Sequence, residues 1–328
     1  MHKTFDIVER TLVPTDNQQC LIDFYINPDE NDKQNILQNL DFDEHTLSSA
    51  LDADEISRIE FEEDYTFIVW KIPDNYSFET QMLFKVSSVG LIIRSNKLVV
   101  ILNNAYNFTS GKEFTKLTSI FDYVIKMLLH TVKHYNDHIK AMKMISKELQ
   151  EKITTSLENK YLVQMFNLSE SLVYYINAIN ANSTVLIKLK NNASKLGLTS
   201  DEIDELEDLI IENKQCGRQA EIYSTILSGL MDARGNLVNN NMNILLKRLT
   251  IINIIFLPLN LIASIGGMSE FTMMTEGIPW QISYSLFGVA MVIIGILTAI
   301  ILDKIINEPN FNIRRRKNFI KYPFRRQR

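Results

Sequence analysis

Runs dominated by Val, Ile, Phe and Tyr fill most of the first 105 residues: TFDIVERTLV, CLIDFYI, RIEFEEDYTFIVWKI, QMLFKVSSVGLIIR and NKLVVILN. Turn residues such as Pro73-Asp74-Asn75 and Ser95-Asn96 separate them, so strands joined as hairpins in a mainly antiparallel or mixed sheet are expected. The stretch from Asp41 to Ile56 is more helical in pattern. Residues 1–112 therefore read as an α/β domain and not an all-β one.

From Glu113 the apolar period changes to 3.6. Phe114, Leu117, Phe121, Val124, Ile125, Leu128, Val132 and Tyr135 mark one stripe of a long helix, and a second helix is expected from about Ser156 to Lys195. Together these make a helical hairpin over residues 113–198. The break at Leu196-Gly197-Leu198 precedes Thr199 and Glu202, whose spacing is that of a capping box. No Pro follows until Pro258. A single helix is expected from there into the most apolar part of the chain, occupying residues 199–268.

Leu249 to Met268 is an uncharged run of 20 residues, and Ile278 to Leu302 is another of 25. Each is long enough to cross a hydrocarbon core of about 30 Å. The linker over residues 269–277 is too short for a domain, so the two spans, the second placed at 278–303, form a hairpin. Lys247 and Arg248 precede the first span, Lys304 follows the second, and the linker carries only Glu270 and Glu276. The positive-inside rule then puts both termini in the cytoplasm and the linker outside.

Charge sharpens that division. The last fifteen residues hold eight Lys or Arg and no acid, so with a net charge of −5 overall the preceding 313 residues carry −13. The basic tail, residues 304–328, is expected on anionic lipid headgroups and not on nucleic acid, because it directly follows a span. The N-terminal MHKTFDIVERTLV lacks the apolar core of a signal peptide, so the first domain is expected to stay on the side where it is made. Cys20 and Cys216 lie far apart without metal spacing, which fits a reducing compartment. No phosphate loop, nucleophile elbow or dinucleotide fingerprint is present, and the chain reads as a transporter and not an enzyme.

The first span carries a polar line. Asn239, Asn243, Leu246, Thr250, Asn253, Leu257, Asn260, Ser264 and Gly267 follow one another in steps of four and three, which sets them on one face of a helix. An amide facing lipid lacks partners, so this face looks either at another protein helix, as hydrogen-bonding glue, or at a water-lined path. One line cannot enclose a path, and several copies are then needed.

At these residues the chain resembles the CorA family of magnesium channels. The family pattern N-x-x-M-K-x-L-T, I-F-x-P-L and A-G-I-Y-G-M-N is met by Asn243-Ile-Leu-Leu246-Lys247-Arg-Leu249-Thr250, Ile255-Phe256-Leu257-Pro258-Leu259 and Ala263-Ser264-Ile265-Gly266-Gly267-Met268-Ser269. The departure that matters is Ser269 in place of the family's Asn. The resemblance implies a funnel-shaped homopentamer: an α/β cytoplasmic domain, a long stalk helix and a two-helix transmembrane hairpin in the cell (inner) membrane. It implies an ion entrance at Gly267, Met268, Ser269, Glu270 and Glu276. The pore lining falls on Asn260, Leu257, Asn253, Thr250, Asn243 and, deeper in the stalk, Asp232; the gate falls on Leu246 and Leu249. The cargo it implies is Mg²⁺, with Co²⁺ and Ni²⁺ as related ions. Mg²⁺ also serves as regulatory ion between cytoplasmic domains, at residues the resemblance does not fix, and no cofactor is needed. The alternatives are a Zn²⁺ or other transition-metal transporter of the same architecture, or a membrane-anchored scaffold.

Two further sets of ligand-type side chains stand out. Asp41, Asp43, Glu44, Asp52, Asp54 and Glu55, with Glu60, Glu62, Glu63 and Asp64, offer oxygen donors for a hard cation, against the plainer reading of a solvated face. His130, His134 and His138 repeat every four residues, a spacing that could hold a transition metal or mark a polar helix face.

Overall fold

The computed structural model describes residues 1–16, 20–40, 44–74, 83–94, 96–155 and 159–307. Of the positions singled out above, Asp41, Asp43, Asn75, Ser95, Ser156 and the tail beyond residue 307 lie outside them.

Seven strands form one mixed sheet: β1 (His2–Val8), β2 (Thr11–Pro14), β3 (Ile22–Ile26), β4 (Arg58–Phe61), β5 (Thr66–Pro73), β6 (Val86–Arg94) and β7 (Lys97–Leu102), in the order β2-β1-β3-β7-β6-β5-β4. All neighbours are antiparallel except β3 and β7. Helices α1 (Glu30–Leu40) and α2 (Glu44–Leu51) lie in the crossover between these two. The central strands are covered on both faces, which is why they read as unbroken apolar runs and not as alternation. Ile68, Trp70, Leu91, Ile93, Leu98 and Val100 point into one core, and their sequence neighbours Phe67, Val69, Ile92 and Val99 into another with Ile36, Leu47 and Ala50. Gly90 is what lets α2 approach the sheet, since a Cβ there would lie 2.4 Å from the Ala50 Cβ.

Helix α1 escapes the apolar period. Among the described side chains of ENDKQNILQNL Ile36 alone is fully buried, and the helix start is set by the Asp29 carboxylate accepting the Asp32 N–H at 2.8 Å. The first long helix also begins later than the period predicts. After a 3₁₀ turn (Lys112–Phe114) Lys116 takes a left-handed φ of 62°, and α3 runs Ile120–Thr155. Ser119 caps it, accepting the Asp122 N–H at 2.9 Å while Asp122 accepts the Thr118 N–H at 2.7 Å. Phe114 and Leu117 belong to the core, but from the connection and not from the helix.

Helix α4 (Asn159–Asn191) returns along α3, and the short α5 (Ala193–Leu196) ends at Gly197, whose φ of 68° is the left-handed turn that glycine takes without strain. Helix α6 (Ser200–Gly266) then starts on the expected capping box: Thr199 N–H donates to Glu202 at 2.8 Å and Glu202 N–H to the Thr199 hydroxyl at 3.3 Å. The buried Glu202 carboxylate also accepts from Ser119, so one side chain joins the caps of α3 and α6. Leu206, Leu209, Asn213, Cys216 and Ala220, in steps of three and four, form a buried seam that Leu227 continues two turns on. Burial pushes the Cys216 thiol up to about 12, which makes it a core residue and not a reactive one.

The chain divides into two compact units, Met1–Arg234 and Gly235–Arg328. The second contains the rest of α6, a short helix α7 (Ser269–Met274) in what the sequence presents as a plain linker, and α8 (Trp280–Asn307).

In the first unit, one buried amide ties sheet to helices. Beyond the last β4–β5 pair, Arg58 with Val69, the Lys71 backbone N–H donates to Asn182 Oδ1 at 3.0 Å and Asn182 Nδ2 donates to the Lys71 carbonyl at 2.9 Å. Ser57 donates to the same Oδ1 at 2.7 Å. The side chain stands in for two strand hydrogen bonds. Asn182→Ala leaves these groups buried and unpaired at a cost of about 3 kcal/mol. A urea titration of the purified chain in a W280F background, followed by the fluorescence of buried Trp70, should show the lower midpoint.

Candidate functional site

The polar line of α6 becomes a site because of where α8 sits. At about 100° per residue, Ile251, Ile255, Leu259, Ile262 and Gly266 share a face roughly opposite the line Thr250, Asn253, Leu257, Asn260, Ser264, Gly267. The first set is half-buried or buried and the second exposed. Helix α8 covers the first set: a Cβ on Gly266 would lie 2.5 Å from the Phe287 ring, and one on Gly295 3.5 Å from Leu259. The hairpin therefore turns its amides away from its own second helix. Among the described residues neither Asn253 nor Asn260 has a side-chain hydrogen bond, while Thr250 donates to the Leu246 carbonyl at 2.8 Å, leaving its oxygen free to accept. Leu257 on this line is 72% exposed. Asn243, Leu246 and Leu249 continue the exposed surface towards the start of the second unit. Asp232 is exposed two residues before the end of the first unit.

At the other end the helix closes with Gly267 N–H on the Ala263 carbonyl at 3.1 Å, and Met268, Ser269 and Glu270 follow within one turn, all exposed. Ser269 donates to Glu270 at 3.4 Å. Phe271 folds α7 back on α8, with ring centroids 5.9 Å from Tyr284 and 5.3 Å from Phe287. This aromatic clip has no periodic signal in the sequence. Glu276 is exposed beyond it. Pro258 interrupts the line's helix without ending it; lacking an N–H, it leaves the Ile254 carbonyl without its usual donor.

The other two sets of ligand-type side chains fare differently. Among the described residues no three His, Cys, Asp or Glu groups converge as a metal site. Arg58 pairs with Glu55 and, at 2.6 Å, with Glu60; Asp64 faces Arg94 at 3.8 Å; and Asp52 accepts the Asp54 N–H in a turn. The three histidines of α3 each clasp a different element: His130 pairs with Glu113, His134 Nδ1 meets the Tyr106 hydroxyl at 2.7 Å, and His138 Nδ1 meets that of Tyr175 at 2.6 Å. Burial, helped by His134, pulls His138 down to about 3.

A two-faced α/β domain joined through one helix to an apolar hairpin, with a polar line on the side its partner span leaves open, defines a membrane transport protein and not a catalyst. The comparisons narrow this. Residues 17–304 match the family described as CorA-like Mg²⁺ transporter protein, and the chain belongs to that family. A cobalt/magnesium transport protein CorA from Methanocaldococcus jannaschii is 26% identical over 260 residues, covering 76% of this chain and 79% of that protein. One of the same description from Thermotoga maritima is 24% identical over 269 residues, covering 79% and 74%. The complete structure of the CorA magnesium transporter from M. jannaschii superposes with a TM-score of 0.76 at 22% identity, over 92% of this chain and 96% of that one.

Two outcomes follow from these contacts. Gly266→Val drives a branched side chain into Phe287 and costs about 1–3 kcal/mol of hairpin packing. The loss appears as a lower melting temperature in detergent and is partly restored by Phe287→Ala. For His138, the folded value lies below the ordinary 6.5, so its contribution is fully present above pH 6.5 and is lost as pH falls towards about 3. Relative to His138→Gln, the wild type should lose up to about 2 kcal/mol between pH 7 and pH 5 in urea titrations.

Proposed function

We propose that several copies of this chain, five as in the family pattern, set their α6 lines around a common axis and conduct divalent cations passively. Mg²⁺ is the principal cargo and Co²⁺ and Ni²⁺ are related ones. The observation that supports this is the placement of Asn253 and Asn260, without a side-chain hydrogen bond among the described residues and turned away from α8. Mg²⁺ holds its water tightly and demands octahedral oxygen ligands, so it is best passed with its hydration shell. Carboxamide oxygens and the Thr250, Ser264 and Ser269 hydroxyls accept hydrogen bonds from that shell. Glu270 and Glu276 raise the cation concentration at the entrance over a Debye length of about 8 Å. An inside-negative potential supplies about 2.3 kcal/mol per charge per 100 mV, twice that for a divalent ion.

In this reading both termini are cytoplasmic in an inner-membrane protein and the tail lies on lipid headgroups. Leu246 and Leu249 form the constriction. A narrow leucine ring excludes water and opposes a hydrated ion without any charged plug. Divalent-ion binding by the cytoplasmic domains favours the narrow state, and its loss favours the wide one, with Asp232 as a further carboxylate ring.

Flux measured in proteoliposomes with a divalent-sensitive dye tests the proposal. Leu246→Ser or Leu249→Asp should raise flux several-fold at high internal Mg²⁺, while Ile254→Val changes it little. Unchanged flux in both polar variants, with assembly into pentamers verified by native mass, moves the gate elsewhere; no flux at all in the wild type returns the chain to a scaffold role.

A further inference from the structure

The linker end of the hairpin exposes more apolar surface than a water-immersed loop requires. Seven of the thirteen residues from Met268 to Trp280 are Met, Phe, Ile, Pro or Trp, and none is Lys or Arg. Phe271 is accounted for by the aromatic clip. Met273 and Met274 are not: they are 73% and 87% exposed, the latter the most exposed large apolar side chain among the described residues. Trp280, which begins α8, is 69% exposed. The clip holds α7 against α8, and two and three positions along that helix the methionines are turned off the contact.

We propose that this tip is a lipid-contacting element, with Met273, Met274 and Trp280 seated in the interfacial layer of the bilayer at the linker side. The surface is continuous with the exposed apolar sides of both spans, Leu261 and Ile265 on α6 and Ile282 and Leu286 on α8. An indole at the end of a span suits that layer, where its ring is buried and its N–H stays wet. Unbranched methionines adapt to disordered acyl chains. Glu270 and Glu276 disfavour anionic headgroups and tolerate zwitterionic ones. The element fixes the depth of the linker, and with it that of Ser269 and Glu270. It rests on the hairpin spanning the bilayer and not on which ion passes.

The sequence contains two tryptophans, and the other, Trp70, is fully buried in the first unit. A full-length W70F chain in phosphatidylcholine vesicles therefore reports Trp280 alone. Lipids brominated at acyl carbons 6,7 should quench it more strongly than lipids brominated at 11,12, and aqueous acrylamide should quench it at least threefold less than free indole. Met273→Ser with Met274→Ser should weaken the shallow quenching. If W70F folds poorly, subtracting the W280F signal from that of the native chain gives the same quantity. I293W in a W70F/W280F background controls for insertion and should respond to the deep bromines. With that control positive, strong acrylamide quenching of Trp280 places the tip in water. Protection from both quenchers places it under a second copy, and either result overturns the proposal. A control silent to bromines removes the spanning premise and the proposal with it.

Discussion

A carboxamide in hydrocarbon must find a partner, because no water is there to replace one. Among the described residues Asn253 and Asn260 find none, and this single deficit bears on the whole second unit. Helix α8 occupies the opposite side of α6 through Gly266, Leu259 and Gly295, so the deficit cannot be repaired inside the hairpin. It has to be met by neighbours or by water. A hairpin built as a mere tether would have no reason to keep these amides on one line, or to interleave them with leucines. Copies set around that face, as proposed above, or water along it would supply what the hairpin lacks.

The first unit shows the converse condition. Several of its polar groups are consumed internally: Asn182 completes the backbone pairing of Lys71, Glu202 serves two helix caps, and Arg58 neutralises Glu55 and Glu60. Burying both faces of the sheet leaves little latitude in its central strands, as the approach of Ala50 to Gly90 shows.

Much of this was legible in the sequence because the signals were long and periodic. The strands, the capping box of α6 and the two apolar spans all sum many small preferences along the chain. The misses were local. Helix α1 buries Ile36 alone among its described side chains and so shows no stripe; the start of α3 was displaced by a single left-handed residue, Lys116, that no periodicity reports. The histidines had the spacing of a metal site, yet each imidazole was claimed by a partner distant in sequence, Glu113, Tyr106 or Tyr175. The same holds for the clip around Phe271: contacts set by tertiary folding of a short segment have no repeat to betray them. The line on α6 was visible as a line, but that α8 leaves it open is a fact of packing.

The shared carboxylate of Glu202 has a mechanical side. From Ser200 to Arg234 α6 extends roughly 50 Å at 1.5 Å per residue, and its direction at the outset is set where Thr199, Ser119 and Glu202 meet. On an arm of that length a tilt of about 5° at the cap displaces the far end by about 4 Å, more than the diameter of a water molecule. A change of angle between α3 and α6 at the cap is magnified along the helix to the extent that the buried seam from Leu206 to Leu227 moves with it.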